Sequence, residues 1–171
     1  MKYEVFTNSN RSQPITSKKI GFFILAAFLV TVGYSQAVTI KEGLYYSDNG
    51  KLFSGSFTSY FDSGSKRSTI DVTEGKINGA VTYFYENGKG METGSYSNNE
   101  KDGKWLRWDE AGHMIAEAFY VSGKKNGTWT VWDANGTKRY SMEYVMGVKT
   151  GKWLMWDEKG LLTEEKNYSS I

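Results

Sequence analysis

Downstream of residue 54 the chain alternates between two textures. Runs of six to ten residues rich in Trp, Tyr, Val, Phe and Thr are separated by short polar clusters that carry glycine. Such runs read as β-strands, because branched and aromatic side chains suit a pleated, half-buried surface. The clusters read as turns: Asp48-Asn49-Gly50, Ser63-Gly64, Asn78-Gly79, Asn87-Gly88, Asp102-Gly103, Ala111-Gly112, Asn126-Gly127, Asn135-Gly136, Thr150-Gly151 and Lys159-Gly160. Glycine there supplies the positive φ that hairpin turns need. The pattern predicts about ten or eleven antiparallel strands in a meander.

The spacing is periodic. GKWLRWDEAG begins at Gly103, GTWTVWDANG at Gly127 and GKWLMWDEKG at Gly151, each 24 residues after the last. The same step backwards reaches Gly79 and Gly55, and every unit has a second glycine nine residues on. Two residues after the first glycine stand Phe57, Val81, Trp105, Trp129 and Trp153. Three further on come Tyr60, Phe84, Trp108, Trp132 and Trp156, and eight past the second glycine come Val72, Tyr96, Tyr120, Tyr144 and Tyr168. Self-similarity at this period marks a repeat architecture. Residues 55–171 divide into five units, and 38–54 form an incomplete one, an expected N-terminal cap hairpin.

A lone hairpin is marginal in water, so the units must bury their aromatic columns against one another. The expected fold is all-β, a single elongated sheet of stacked hairpins. With strands about 4.8 Å apart, each unit advances about 10 Å and five units span roughly 50 Å. The two aromatics of a unit are three residues apart, so they face opposite sides unless a bulge resets the alternation. One Trp column is then core and the other at least partly exposed.

Residues 1–37 follow another rule. Ile20–Gly33 (IGFFILAAFLVTVG) is uncharged, Lys18 and Lys19 precede it, and Ser35 and Ala37 follow. This is the layout of a signal peptide, with a leading region at 1–19, an apolar core at 20–33 and cleavage after 37. The core is short for a membrane span, although an anchor through residues 20–33 is the alternative. The expected location is extracytoplasmic: periplasm, cell surface or secreted. Removing 1–37 takes four of 21 basic and one of 19 acidic residues, leaving a net charge of −1. Nothing resembles the basic stripe of a nucleic-acid binder. Cysteine is absent, which excludes disulfides, thiolate metal sites and a Cys nucleophile.

At the glycine and aromatic columns of 55–168 the units resemble the MORN-repeat variant, short β-hairpin repeats with a G-x-W-x-x-[WYF]-x-x-x-G core and a trailing Tyr. Units Gly55 and Gly79 depart from it at Phe57 and Val81. The resemblance implies a scaffold that binds other molecules, usually proteins and sometimes membranes, without catalysis. Proteins like this are often labelled antitoxins, a label that fits poorly with an export signal. Gram-positive choline- and glucan-binding repeats are a second resemblance, but the G-W pair those repeats carry after the second glycine is missing.

The candidate chemistry is sparse. The Trp columns read as stacking core or as an exposed ladder for sugar rings or partner side chains. The candidate partner-binding residues are Trp105, Trp108, Trp129, Trp132, Trp153, Trp156, Tyr120 and Tyr144. Asp109, Asp133 and Asp157 each open a D-x-x-G turn, where Asp accepts from backbone amides. One per unit, they are too far apart to share a calcium ion or to form a retaining glycosidase pair. His113, the only histidine, reads as a solvated turn residue. Gly88–Gly94 lacks the ending of a phosphate loop. Lys66-Arg67 and Lys124-Lys125 read as edge or turn charges, and Asn126 and Asn135 begin sequons explained by Asn-Gly turns. No catalytic, cofactor or metal site is expected. The sequence points to an exported non-enzymatic scaffold for protein–protein interaction at the cell envelope. Glycan or cell-wall binding, a membrane surface and antitoxin-like partner binding are the alternatives.

Overall fold

A computed structural model describes residues 4–6 and 37–169. The strands are β1 (Glu4–Phe6), β2 (Val38–Lys41), β3 (Leu44–Ser47), β4 (Gly55–Tyr60), β5 (Lys66–Thr73), β6 (Lys76–Phe84) and β7 (Gly90–Ser97). They continue as β8 (Glu100–Trp108), β9 (Met114–Val121), β10 (Lys124–Lys125), β11 (Gly127–Trp132), β12 (Lys138–Val145), β13 (Val148–Trp156) and β14 (Leu162–Tyr168). From β4 onward all belong to one antiparallel sheet of 11 strands ordered along the chain, with β10 paired to β9. The expected meander is present. A separate three-stranded sheet, β1-β2-β3, precedes it. β1 lies within the segment that signal cleavage would remove, and the apolar core at 20–33 is outside the described residues. Among the described residues no helix is long and apolar enough to cross a membrane.

Two kinds of turn alternate. At one end of the strands Asp109 N donates to His113 O (2.9 Å) and Gly112 N to Asp109 O (3.0 Å), and the pattern recurs at 133–137 and 157–161. At the other end two-residue turns have positive φ at both positions: Glu74-Gly75 (48° and 75°), Asn98-Asn99 (50° and 70°), Ser122-Gly123 (45° and 73°) and Met146-Gly147 (47° and 91°). That is the backbone that continues the right-handed twist of a hairpin.

These second turns correct the sequence reading, which set turns at Asn78-Gly79, Asp102-Gly103, Asn126-Gly127 and Thr150-Gly151. Those glycines lie within strands, at bulges. Between the pairs Thr93↔Leu106 and Ser95↔Asp102, β8 advances four residues while β7 advances two. The same slippage occurs in β6 and β13, and in the intervening unit Asn126 splits the strand into β10 and β11. Gly79, Gly103, Gly127 and Gly151 take up the slack at φ of 120°, 72°, 73° and 58°. A bulge and a tight turn make the same demand for positive φ, so an Asn-Gly pair signals either one.

The bulges interlock the repeats. Gly75, Asn99, Gly123 and Gly147 donate their N–H to the carbonyls of Phe53, Ile77, Lys101 and Lys125 at 2.7–2.9 Å. Beside each bond, Ser54, Asn78, Asp102 and Asn126 accept with a side-chain oxygen from the N–H of Glu74, Asn98, Ser122 and Met146. Each two-residue turn is thus clamped to the bulge of the preceding unit.

The core sits at the N-terminal end. Val38, Tyr45, Phe53, Phe57, Ile70, Val72, Val81, Trp105 and Ala118 form one buried cluster. The small sheet joins it as a cap: Tyr45 N donates to Gly75 O (2.9 Å), and the Tyr45 and Phe57 rings pack edge-on at 5.6 Å.

Candidate functional site

The two Trp columns occupy opposite faces. A register shift does fall at each second aromatic, but the extra residue belongs to the partner strand. Arg107 pairs with Ala116 and Trp108 with Met114, which leaves Ile115 over; Arg139 and Thr163 are left over in the same way beside Trp132 and Trp156. Alternation along the Trp-bearing strands is therefore kept. Trp105 stacks over Gly94, whereas Trp108 lines a hollow with Thr82 and Thr93, on the other side of the same strands.

On the first face the aromatics form a continuous ladder. Ring centroids from Tyr96 through Trp105, Tyr120, Trp129, Tyr144 and Trp153 to Tyr168 lie 5.0–6.2 Å apart in sequence, all edge-on or tilted. That geometry suits the ring quadrupoles. Each Trp of this column is also tied to the backbone: Trp105, Trp129 and Trp153 donate Nε1–H to the carbonyls of Ser95 (3.2 Å), Phe119 (3.0 Å) and Glu143 (3.1 Å). Trp105 is 2% exposed and Tyr144 7%. Of the candidate binding residues, these two are therefore buried in the ladder. Tyr120, Trp129 and Trp153 are half-buried. Burial raises the pKa of Tyr120 and Tyr144, because the phenolate is disfavoured away from water.

A lysine column overlies this ladder, and it is the feature the sequence reading missed. Lys101 Nζ lies 3.6 Å from the Trp105 ring centroid, Lys125 Nζ 4.2 Å from Trp129 and Lys149 Nζ 4.4 Å from Trp153. Each also approaches the following Tyr, at 4.9–5.5 Å. These are cation–π distances. Lys125 is thus a ladder residue rather than a plain edge charge. The 24-residue step could have exposed the column, since Phe53, Ile77, Lys101, Lys125 and Lys149 share one position. It is apolar where the cap covers the sheet and cationic beyond. Lys101 pairs with Glu92 (3.2 Å); among the described residues Lys125 and Lys149 have no acidic partner within ion-pair distance.

The second column is half-buried on the opposite face. Among the described residues, Trp108, Trp132 and Trp156 make no Nε1–H bond to protein, and no buried polar side-chain atom there is left without a partner. Their indole N–H groups therefore face solvent. Trp156 has Lys138 Nζ 5.5 Å from its centroid.

The acidic column closes turns, as expected. Asp133 Oδ1 accepts from the N–H of Asn135 and Thr137, both at 3.0 Å. Asp157 does the same for Lys159 and Leu161 at 2.9 Å. Asp109 accepts from His113 N (2.8 Å), with His113 Nδ1 at 3.1 Å from Oδ2. The backbone bond from His113 leads the causes that lower the Asp109 pKa.

A hollow of about 590 Å³ lies where the cap meets the sheet and is walled by Ile40, Tyr45, Phe57, Ile70 and Tyr83, with the bonded pair Ser59 and Ser68 (2.7 Å) in its lining. Among the described residues no cluster of His, Asp or Glu could hold a metal ion.

The family model described as "MORN repeat variant" matches residues 77–98, 101–122 and 125–146. The chain therefore carries three consecutive MORN repeats, and each matched unit is one hairpin of the large sheet that begins at the Ile77, Lys101 and Lys125 position. No curated protein matches the chain. Among solved structures the chain is similar to one in "Crystal structure of GtfA/B complex bound to UDP and GlcNAc", at 16% identity and a TM-score of 0.27, covering 81% of this chain. The chain spans 25% of that protein's length.

Proposed function

With three consecutive MORN repeats as the premise, we propose that the protein is an exported, non-enzymatic scaffold that binds a protein partner along the open half of its aromatic–lysine ladder. One observation carries the reading. The ladder runs from a covered end, where Trp105 is buried under the continuation of the core, to an uncovered end, where Trp129 and Trp153 are half-buried. At that end the overlying position has changed from Phe53 and Ile77 to lysine. Lys125 and Lys149 sit on aromatic rings without acidic partners among the described residues, so the surface suits an acidic segment that also brings apolar side chains. Half-exposed tryptophans are residues expected at the centre of a binding surface, and the lysines beside them supply charge complementarity to an acidic partner. The layout of residues 18–37 supports export, to the periplasm or the cell surface.

The test uses the full chain as bait in envelope extract, beside a Lys125→Glu/Lys149→Glu variant. A specific co-purifying protein should be retained by the parent, lost by the variant and indifferent to soluble glycan. Equal retention by both, or no partner under several growth conditions, contradicts the reading. The export claim fails if the native protein keeps Ile20–Gly33 and is cytoplasmic.

A further inference from the structure

The opposite face carries a second, independent arrangement. Two open hollows there are one repeat apart in register. One, of about 490 Å³, is lined by Thr82, Lys89, Gly90, Thr93, Trp108 and Gly112. The other, of about 430 Å³, is lined by His113, Met114, Trp132, Asn135 and Gly136. A step of 24 residues maps Lys89 on His113, Gly90 on Met114, Trp108 on Trp132 and Gly112 on Gly136. Each hollow combines a half-buried indole with hydroxyl, amide or ring-nitrogen groups.

We propose that this face binds a linear, uncharged, β-linked polysaccharide, with one sugar ring stacked on Trp108 and another on Trp132. The inference goes beyond the protein-binding reading and uses the other side of the sheet. A pyranose presents a flat C–H face that packs on an aromatic ring, and an edge of hydroxyls that needs hydrogen-bond partners. At the first hollow the Thr82 and Thr93 hydroxyls bond each other (3.1 Å) and Thr93 donates to Val81 O (2.9 Å), which leaves them lone pairs to accept with. At the second the Asn135 side-chain amide makes no bond among the described residues, and both indole N–H groups are unbonded within the described protein. The cationic groups nearby are already engaged. Lys89 Nζ donates to Ala111 O (2.7 Å) and His113 pairs with Asp109, so an uncharged polymer fits better than an acidic one.

Spacing and twist set the ligand's form. One repeat is two strands, about 10 Å, close to the length of two linked pyranose rings. Two strands also rotate the surface by roughly 40–50°, so consecutive stacked rings must turn relative to one another. That favours a soluble, torsionally free chain over the flat face of a crystalline polymer. The array holds two sites. Phe84 replaces Trp in the preceding unit, and Lys138 overlies Trp156 in the following one.

The experiment titrates the full chain with β-1,4-linked hexasaccharides of glucose and of N-acetylglucosamine, and with the matching disaccharides. Binding is followed by calorimetry and by the indole N–H signals in two-dimensional NMR. One hexasaccharide should shift the Trp108 and Trp132 signals and leave those of Trp105 and Trp153 in place. It should bind at least about tenfold more tightly than its disaccharide, because the second site is engaged intramolecularly. Trp132→Leu should lose about tenfold in affinity, whereas Lys149→Ala on the other face should lose none, which separates this proposal from the protein-binding one. Should Trp132→Leu fold poorly, the signals of the unaltered protein decide. The proposal is overturned if neither hexasaccharide moves the two signals at millimolar concentration, if hexasaccharide and disaccharide bind equally, or if a folded Trp132→Leu binds as well as the parent.

Discussion

Gly94 and Trp105 act as one residue pair. A Cβ at position 94 would overlap the Trp105 ring, and the ring is 2% exposed with no room to retreat. Gly94→Ala should therefore cost about 1–3 kcal/mol by overpacking, measured by denaturant unfolding. At the turns, Asp109 has a lowered pKa. A lowered carboxylate adds stability above its unfolded pKa, and that stability is lost as pH falls through the folded value. NMR titration should place Asp109 below its ordinary value of 3.8, and Asp109→Asn should weaken the acid dependence below about pH 4. The tyrosines run the other way. Burial raises Tyr45, Tyr83, Tyr120 and Tyr144 above 10.0. Their stabilising effect is full below pH 10 and fades as pH climbs through the folded values, so phenolate absorbance and unfolding should rise together in alkali. These residue roles were partly legible in the sequence: the D-x-x-G spacing announced the Asp turns, since their bonds are local. The lysine column was legible as a position repeated every 24 residues, but its place over the rings was not: each lysine stands four residues before its Trp, and the bulge between them, which sets where the lysine falls, reads locally as a turn.

The clamp between each two-residue turn and the preceding bulge is the element that makes the repeat. Asn126→Ala removes the acceptor for Met146 N–H (3.2 Å) and should cost about 1 kcal/mol. The turn it holds is the least suited of the set, since Met146 adopts φ of 47° where Asn or Gly is preferred. Met146→Asn should stabilise by of order 1 kcal/mol, seen as a higher unfolding midpoint in urea. A loss on this substitution would mean that the exposed Met146 packs in a way the turn geometry does not reveal. Strand content and direction followed from the aromatic runs, yet half of the hairpin connections were displaced. Asn-Gly and Asp-Gly are the strongest local turn signals, and here they serve bulges, while Ser122-Gly123 and Met146-Gly147 carry the chain reversal. Local sequence fixes the need for positive φ; the pairing of neighbouring strands decides which feature uses it.

For the whole molecule, burial declines from the cap toward β14. Repeat proteins of this kind are held by nearest-neighbour contacts, so hydrogen exchange should be slowest in β5–β8 and fastest in β13–β14. The period and parity of the aromatic columns were readable from the chain because each is a property of spacing alone. The covering of one end by the cap was not, since it depends on long-range packing of Tyr45 and Phe53. The central claim is that two tryptophans three residues apart carry different structural loads: the first column builds the fold, even at the end left open to a partner, and the second, on the opposite face, does not. The most direct test compares the thermal midpoints of Trp129→Ala and Trp132→Ala. Trp129 is wedged between Tyr120 and Tyr144 with its N–H bonded to Phe119 O. Its removal should cost about 3–5 kcal/mol and lower the midpoint by roughly 10 °C or more. Trp132→Ala should lower it by less than about 4 °C. Equal losses, or the larger loss at Trp132, would contradict the division of the two columns.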